Sequence, residues 1–228
     1  MVCFSGPHGA GKSTFMHALL QQHPERFVLY PDRLSFARSN EPFLRNRAKL
    51  VKYFHEWIDQ QEFLKEYPDK TVFVDRCVYD GMVYTKAYAD IGWIVPEEYL
   101  LLEQFRKQLF CAEPHYNAMP SHLVVLVPPL DAIVTRLERR WTTKGKKWRE
   151  EDKTYLAAAH DGFSHMERIF TGTSLLKLDK DLSLEEEMQQ FMTWMEQVQD
   201  KGQQSKAVPE TCIPELAYSC IPLAVNYK

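Results

Sequence analysis

Gly6-Pro7-His8-Gly9-Ala10-Gly11-Lys12-Ser13-Thr14 decides the fold. The stretch has the spacing G-x-x-x-x-G-K-S/T, in which each residue type has a physical task. Gly6, Gly9 and Gly11 permit backbone conformations and close approaches that a Cβ would block. Consecutive N–H groups through Gly9, Ala10, Gly11, Lys12, Ser13 and Thr14 can then face one concavity and hold phosphate oxygens. Lys12 adds a mobile positive charge near the β- and γ-phosphates, and the Ser13 hydroxyl can reach a Mg²⁺ ion. Val2 to Ser5, just before, is a short apolar strand. Thr14 to Gln22, just after, has helical spacing with Phe15, Ala18 and Leu19 inward, so the phosphates would sit on a helix N-terminus. A chance glycine turn does not explain strand, loop and helix in that order. The stretch reads as a nucleotide-phosphate site.

The 228 residues suffice for one domain with a sizeable core, and residues 1–200 read as that domain. Lys201 to Lys206 reads as a linker to a tail of unknown role, in which Cys212-Ile213-Pro214 is echoed by Cys220-Ile221-Pro222. A hydrophobic content of 45% with 26% charged residues is that of a globular protein, and no apolar run approaches a membrane span. The net charge of −3 argues against nucleic acid as the main partner. The local exception is a basic run from Arg136 to Arg149. Five cysteines without a C-x-x-C pair make neither a disulfide framework nor a zinc site, and their odd number fits a reducing compartment. The first strand begins almost at Met1, which leaves no room for a signal peptide. An intracellular setting follows as an expectation, the cytoplasm first, with nucleus or organelle left open.

Beyond the first helix the chain alternates. Arg26 to Tyr30 is a second strand, ended by Pro31-Asp32-Arg33. In an open parallel sheet ligands bind beyond the carboxyl ends of the strands, so Asp32 and Arg33 stand where a substrate would be, or serve as turn and cap residues. Arg45 to Lys65 is helical, and Tyr53, Phe54 and Trp57 form an aromatic stripe that is either core or a platform for a base. Thr71 to Val74 is a buried strand ending in Asp75-Arg76, where an acidic residue is the usual second contributor to a Mg²⁺ site. Arg76 can pair with Asp32 or bind a phosphate. Helices at Cys77 to Tyr88 and Glu97 to Phe110 lead through a loop from Glu113 to Ser121 into a strand at His122 to Val127. The helix Asp131 to Trp141 carries Arg136, Arg139 and Arg140 and runs into Thr142 to Arg149, read as a lid that closes over ATP. A helix at Asp152 to Phe170, a strand at Ser174 to Asp179 and a helix at Leu184 to Gln199 complete the domain. The pattern is α/β: a three-layer P-loop fold, a five-stranded parallel sheet with helices on both faces and a basic lid.

From Asp75 onward the chain resembles a known family. Asp75-Arg76-Cys77-Val78-Tyr79-Asp80 is similar to the D/E-R-S-x-Y-x-D motif of deoxyribonucleoside kinases, with Cys77 in place of the serine and Asp80 one position early. Gly92 to Tyr99 is similar to that family's G-x-M-x-x-x-E-W/Y segment. Arg136-Leu137 with Arg140 resembles its lid entry, and Tyr155-Leu156 with His160 its Y-L-x-x-L-H run. The first third differs: Tyr30 to Ser35 is closer to the F-P-x-R-x-T segment of thymidylate kinases.

Both resemblances imply phosphoryl transfer from ATP with Mg²⁺ bound through Ser13 and Asp75, and a homodimer as the assembly to test for. For a nucleoside kinase they imply Asp32 as the base for a 5′-hydroxyl, with Arg76 holding that carboxylate. For a nucleoside-monophosphate kinase they imply Arg33 and Arg76 on the acceptor phosphate. Lys12, Arg136 and Arg140 would stabilise the transition-state charge in either case. Tyr53, Trp57, Tyr79 and Tyr84 are the candidates for the substrate wall. The deoxynucleoside kinase reading comes first, a nucleoside-monophosphate kinase second and a non-catalytic nucleotide switch third.

Overall fold

Short runs that are apolar at every position must be buried on both faces. The computed structural model describes residues 1–32, 39–112, 116–145, 149–179 and 182–205, and such runs make its sheet. In chain order the elements are β1 (Val2–Ser5), α1 (Lys12–Gln22), β2 (Phe27–Leu29), α2 (Pro42–Glu66), β3 (Thr71–Asp75), α3 (Val78–Asp90) and α4 (Pro96–Phe110). There follow β4 (Cys111–Ala112), β5 (Tyr116–Asn117), β6 (His122–Leu126), α5 (Leu130–Lys144), α6 (Lys153–Ser164), β7 (Ser174–Leu178) and α7 (Leu184–Ser205).

Five strands pair in parallel in the order β2-β3-β1-β6-β7, so the first strand of the chain is the central one. Phe4 stands level with Asp75 on one side and Val124 on the other. The glycine-rich loop after β1 and the Asp75-Arg76 pair after β3 therefore open onto the same edge.

Alternate residues of each strand enter different cores, as the pleat requires. Val2, Phe4, Phe73, Val124 and Leu126 pack against Phe15 and Leu19 of α1 and Phe191 of α7. Cys3, Val72, Val74, Leu123 and Val125 join a second core with Leu50 of α2, Tyr84 and Tyr88 of α3, Leu102 of α4 and Phe163 of α6. Helices thus cover both faces, as the alternation predicts. A smaller cluster, Ile133, Leu137 and Leu156, fastens α5 to α6.

Several boundaries differ from the sequence reading. The helix expected through Phe170 stops at Ser164, whose carbonyl accepts from Lys177 Nζ of β7 at 2.6 Å; a short 3-10 turn, Met166–Arg168, follows. The loop expected from Glu113 holds β5, paired with β4. Helix α7 continues to Ser205, through the start of the expected linker, because a single glycine at 202 costs a helix only about 1 kcal/mol. Arg33, Lys146 to Trp148 and the tail from Lys206 lie outside the described residues. No helix among those described is long and apolar enough to cross a membrane.

Candidate active site

The loop after β1 has the conformation that its glycines were read for. Gly6 has φ +141°, and a Cβ there would lie 2.2 Å from the Leu126 carbonyl oxygen. Gly9, at φ +79°, lets Leu137 of α5 pack directly on the loop. Lys12 opens α1 and is buried; its Nζ donates to the carbonyls of Gly6 at 3.0 Å and Pro7 at 3.2 Å. Burial, and then the Arg76 charge, bring its pKa down to about 7. The loop from His8 to Thr14, Asp75, Arg76, Arg136 and Arg140 line one cleft of about 470 Å³. That volume is within the usual range of small-molecule sites, about 300–1,000 Å³.

Ser13 and Asp75 both face solvent in this cleft. A hydroxyl and one carboxylate, completed by phosphate oxygens and water, suit Mg²⁺, which is rarely held in an all-protein cage. Among the described residues no group of three or more His, Cys, Asp or Glu is arranged as a cage.

Arg76 has φ +76°, an unfavourable region for a side-chain-bearing residue, at roughly 1–3 kcal/mol. Its surroundings hold it there. Its backbone N–H donates to the Phe4 carbonyl at 2.9 Å. Its Nη1 donates to Asp80 Oδ1 at 2.8 Å, the Tyr84 hydroxyl at 3.1 Å and the Gly6 carbonyl at 3.3 Å. Asp80 is fully buried and also accepts from Ser5 Oγ and from the Cys77 N–H, where it caps α3. Sequence reasoning missed this role. The signal available was the position of Asp80 three residues into a helix whose cap is Cys77.

The pairing of Arg76 with Asp32 is therefore corrected: Asp80, one helical turn away, takes the guanidinium. Asp32 is exposed and accepts from Lys52 Nζ of α2 at 2.8 Å. Lys52 also lies 3.3 Å from Glu56, whose pKa burial raises to about 7. Tyr53 is buried close to Gly81, and the charges of Asp80 and Arg76 act on its hydroxyl. Trp57, one turn further along α2, stacks on Phe54 with ring centroids 6.0 Å apart. Tyr79 is not a cleft residue. It is fully buried, its hydroxyl lies 3.0 Å from Thr171 Oγ1, and its ring packs on Phe170. Asp80 and Tyr84, one turn apart, form the face of α3 that meets Arg76, and Tyr79 is rotated about 100° from it.

Lys49 was also missed. Its Nζ lies 4.9 Å from the centroid of the Tyr84 ring, which Arg76 approaches with Cζ at 5.4 Å. The i,i+4 spacing of Arg45, Lys49 and Tyr53 is the trace of this face in the sequence.

The basic segment is folded onto the loop. Arg136 Nη1 donates to the Ala10 carbonyl at 3.3 Å. Arg140 pairs with Glu150, whose side chain is fully buried and lies 3.3 Å from His8 Nδ1. Burial, then the charges of Arg76, Lys12, Lys49 and Arg140, push the His8 pKa well below its usual value. Arg149 lies over the Trp93 ring, 4.0 Å from its centroid. Glu150 thus ties the lid entry to the phosphate loop.

A family model described as deoxynucleoside kinase matches residues 2–201, nearly the whole described chain. The chain belongs to the deoxynucleoside kinase family. It is an enzyme, a phosphotransferase acting on nucleosides with a nucleotide donor, rather than a non-catalytic switch. Solved structures share its fold. Deoxyadenosine kinase from M. mycoides with bound dATP has a TM-score of 0.62 at 13% identity, over 86% of this chain and 98% of that one. The same kinase with bound dCTP gives 0.58 at 13%, over 86% and 100%. Thymidylate kinase from Candida albicans gives 0.63 at 16%, over 87% and 91%. No curated protein matches the chain by sequence. At these identities the likeness is one of fold, and the roles of individual side chains in this deoxynucleoside kinase rest on the geometry above.

Proposed function

We propose that this kinase transfers the γ-phosphate of ATP to the 5′-hydroxyl of a deoxyribonucleoside. The observation that carries the reading is that Lys12, Asp75, Arg76, Arg136 and Arg140 line a single cleft at the carboxyl edge of the sheet. The loop from Gly6 to Thr14 binds the donor phosphates through its N–H groups. Ser13 and Asp75 would hold Mg²⁺, which offsets phosphate charge when bound. Lys12, Arg136 and Arg140 neutralise the charge spread over the transferred group. Asp32 accepts the proton as the hydroxyl oxygen bonds to the γ-phosphorus and the bond to the bridging oxygen of ADP breaks. Lys52, rather than Arg76, orients that carboxylate. Tyr53 and Trp57 border the acceptor side, with Arg33 the remaining candidate there. Residues 1–205 would make the catalytic domain. A cytoplasmic, homodimeric enzyme is the finer reading of compartment and assembly, checked by fractionation and sedimentation.

The test is incubation with ATP and each of the four deoxynucleosides, with ADP and monophosphate measured. At least one is phosphorylated. Asp32→Asn lowers kcat by about 100-fold or more, the usual contribution of a positioned base, while ATP affinity stays within about twofold. Turnover of none of the four would overturn the reading, and full activity of Asp32→Asn would remove Asp32 as base.

A further inference from the structure

One cation near the cleft, Lys49, has no part in the transfer to a neutral nucleoside. Arg76 has an ion-pair partner in Asp80. Arg140 has one in Glu150. Lys49 has no carboxylate within ion-pair distance among the described residues; its ammonium lies over the face of Tyr84. That ring is buried, carries Arg76 as well, and lies 5.4 Å, centroid to centroid, from His8 of the phosphate loop. Lys49 is therefore separated from the phosphate loop by one aromatic ring. Two cations on one ring, with the buried carboxylate of Asp80 paired to one of them, suit a ligand that brings its own negative charge.

We infer that Lys49 is a specificity-determining residue that, with Arg76, receives a phosphate on the acceptor, so that the kinase also phosphorylates deoxynucleoside 5′-monophosphates. The inference rests on the donor half of the cleft as read above and adds a second acceptor class to it. In this step an oxygen of the acceptor phosphate bonds to the γ-phosphorus of ATP. The bond to the bridging oxygen breaks, and ADP leaves with that electron pair. With a fully ionised monophosphate no proton is released, whereas a nucleoside hydroxyl must lose one. The acceptor phosphate needs charge compensation instead of a base, which Lys49 supplies.

Burial, then the neighbouring charges of Arg76 and Arg45, bring the Lys49 pKa to about 7, with Asp80 acting the other way. A lysine so placed takes up a proton when an anion binds beside it. His8 on the loop and Tyr53 on its own helix are the other titratable groups near this face.

The experiment supplies ATP with each of the four deoxynucleosides and each of their 5′-monophosphates to the full chain and to Lys49→Met and Lys49→Arg. ADP is measured, and proton release at pH 8 is followed with a dye. The wild type turns over at least one monophosphate without proton release. Lys49→Met shifts the ratio of kcat/KM for monophosphate over nucleoside at least about tenfold toward the nucleoside, the scale of one lost charge-assisted hydrogen bond, and Lys49→Arg restores most of it. An unchanged ratio in Lys49→Met, or turnover of nucleosides alone by the wild type, overturns the inference and leaves the proposed function standing. Turnover of monophosphates alone supports the inference and overturns the proposed function. Turnover of neither overturns both.

Discussion

Arg76 shows how one residue can be over-determined by its neighbours. Its backbone is strained and its guanidinium has three acceptors, the strongest a carboxylate with no access to water. Asp80→Ala removes that carboxylate, the Ser5 contact and the cap of α3 together. Loss of one partner of a buried ion pair is expected to lower stability by about 3 kcal/mol, read by urea denaturation, and to lower kcat by freeing Arg76 to move. The donor residues were legible in the sequence because Gly6 to Thr14 is one contiguous stretch with one spacing. Asp80 was not. It reads as an acidic residue out of step with its motif until β1 is laid beside β3, which brings Ser5 and Asp80 together across 75 positions of sequence. Tyr79 failed for the opposite reason: an aromatic residue in a motif says nothing of which face of the helix it occupies.

At the scale of elements, α2 carries much of the acceptor side. Lys49 and Tyr53 lie near Arg76 and Tyr84, while Lys52, itself paired with Glu56, holds Asp32. Glu56 has a folded-state pKa of about 7 against an ordinary 4.5, with burial the main cause. The folded state therefore binds more protons than the unfolded state between those values. Stability from this group is fully present below pH 4.5 and is lost as the pH rises through about 7. Glu56→Gln should flatten that fall, which thermal melts across pH 4 to 8 will show. Elements as such were largely legible, since buried strands are continuous apolar runs and amphipathic helices repeat every three or four residues. Their ends were not. The stop at Ser164 depends on Lys177, a residue of a later strand, and the extension of α7 depends on how little one glycine weakens a helix.

For the whole molecule, Phe191 of α7 packs among Phe4, Phe15, Phe27 and Phe73, so the domain cannot end before that helix. A chain ending at Ser205 is expected to keep the melting temperature and ATP affinity of the full one. A large loss of either would assign the tail a structural part.

The order β2-β3-β1-β6-β7 also bears on how the chain comes to be folded. Cys3 is matched with Leu123, so the central strand, made first, cannot be flanked on both sides until nearly the last strand has been synthesised. Pairings this distant close slowly, because loop entropy is lost before any contact rewards it. During that interval Val2 to Ser5 has β3 on one side only, and its other edge is open to pairing with another nascent copy. Refolding should accordingly be slow and sensitive to protein concentration, and the phosphate-binding loop, hung on that strand, should be among the last parts to become competent.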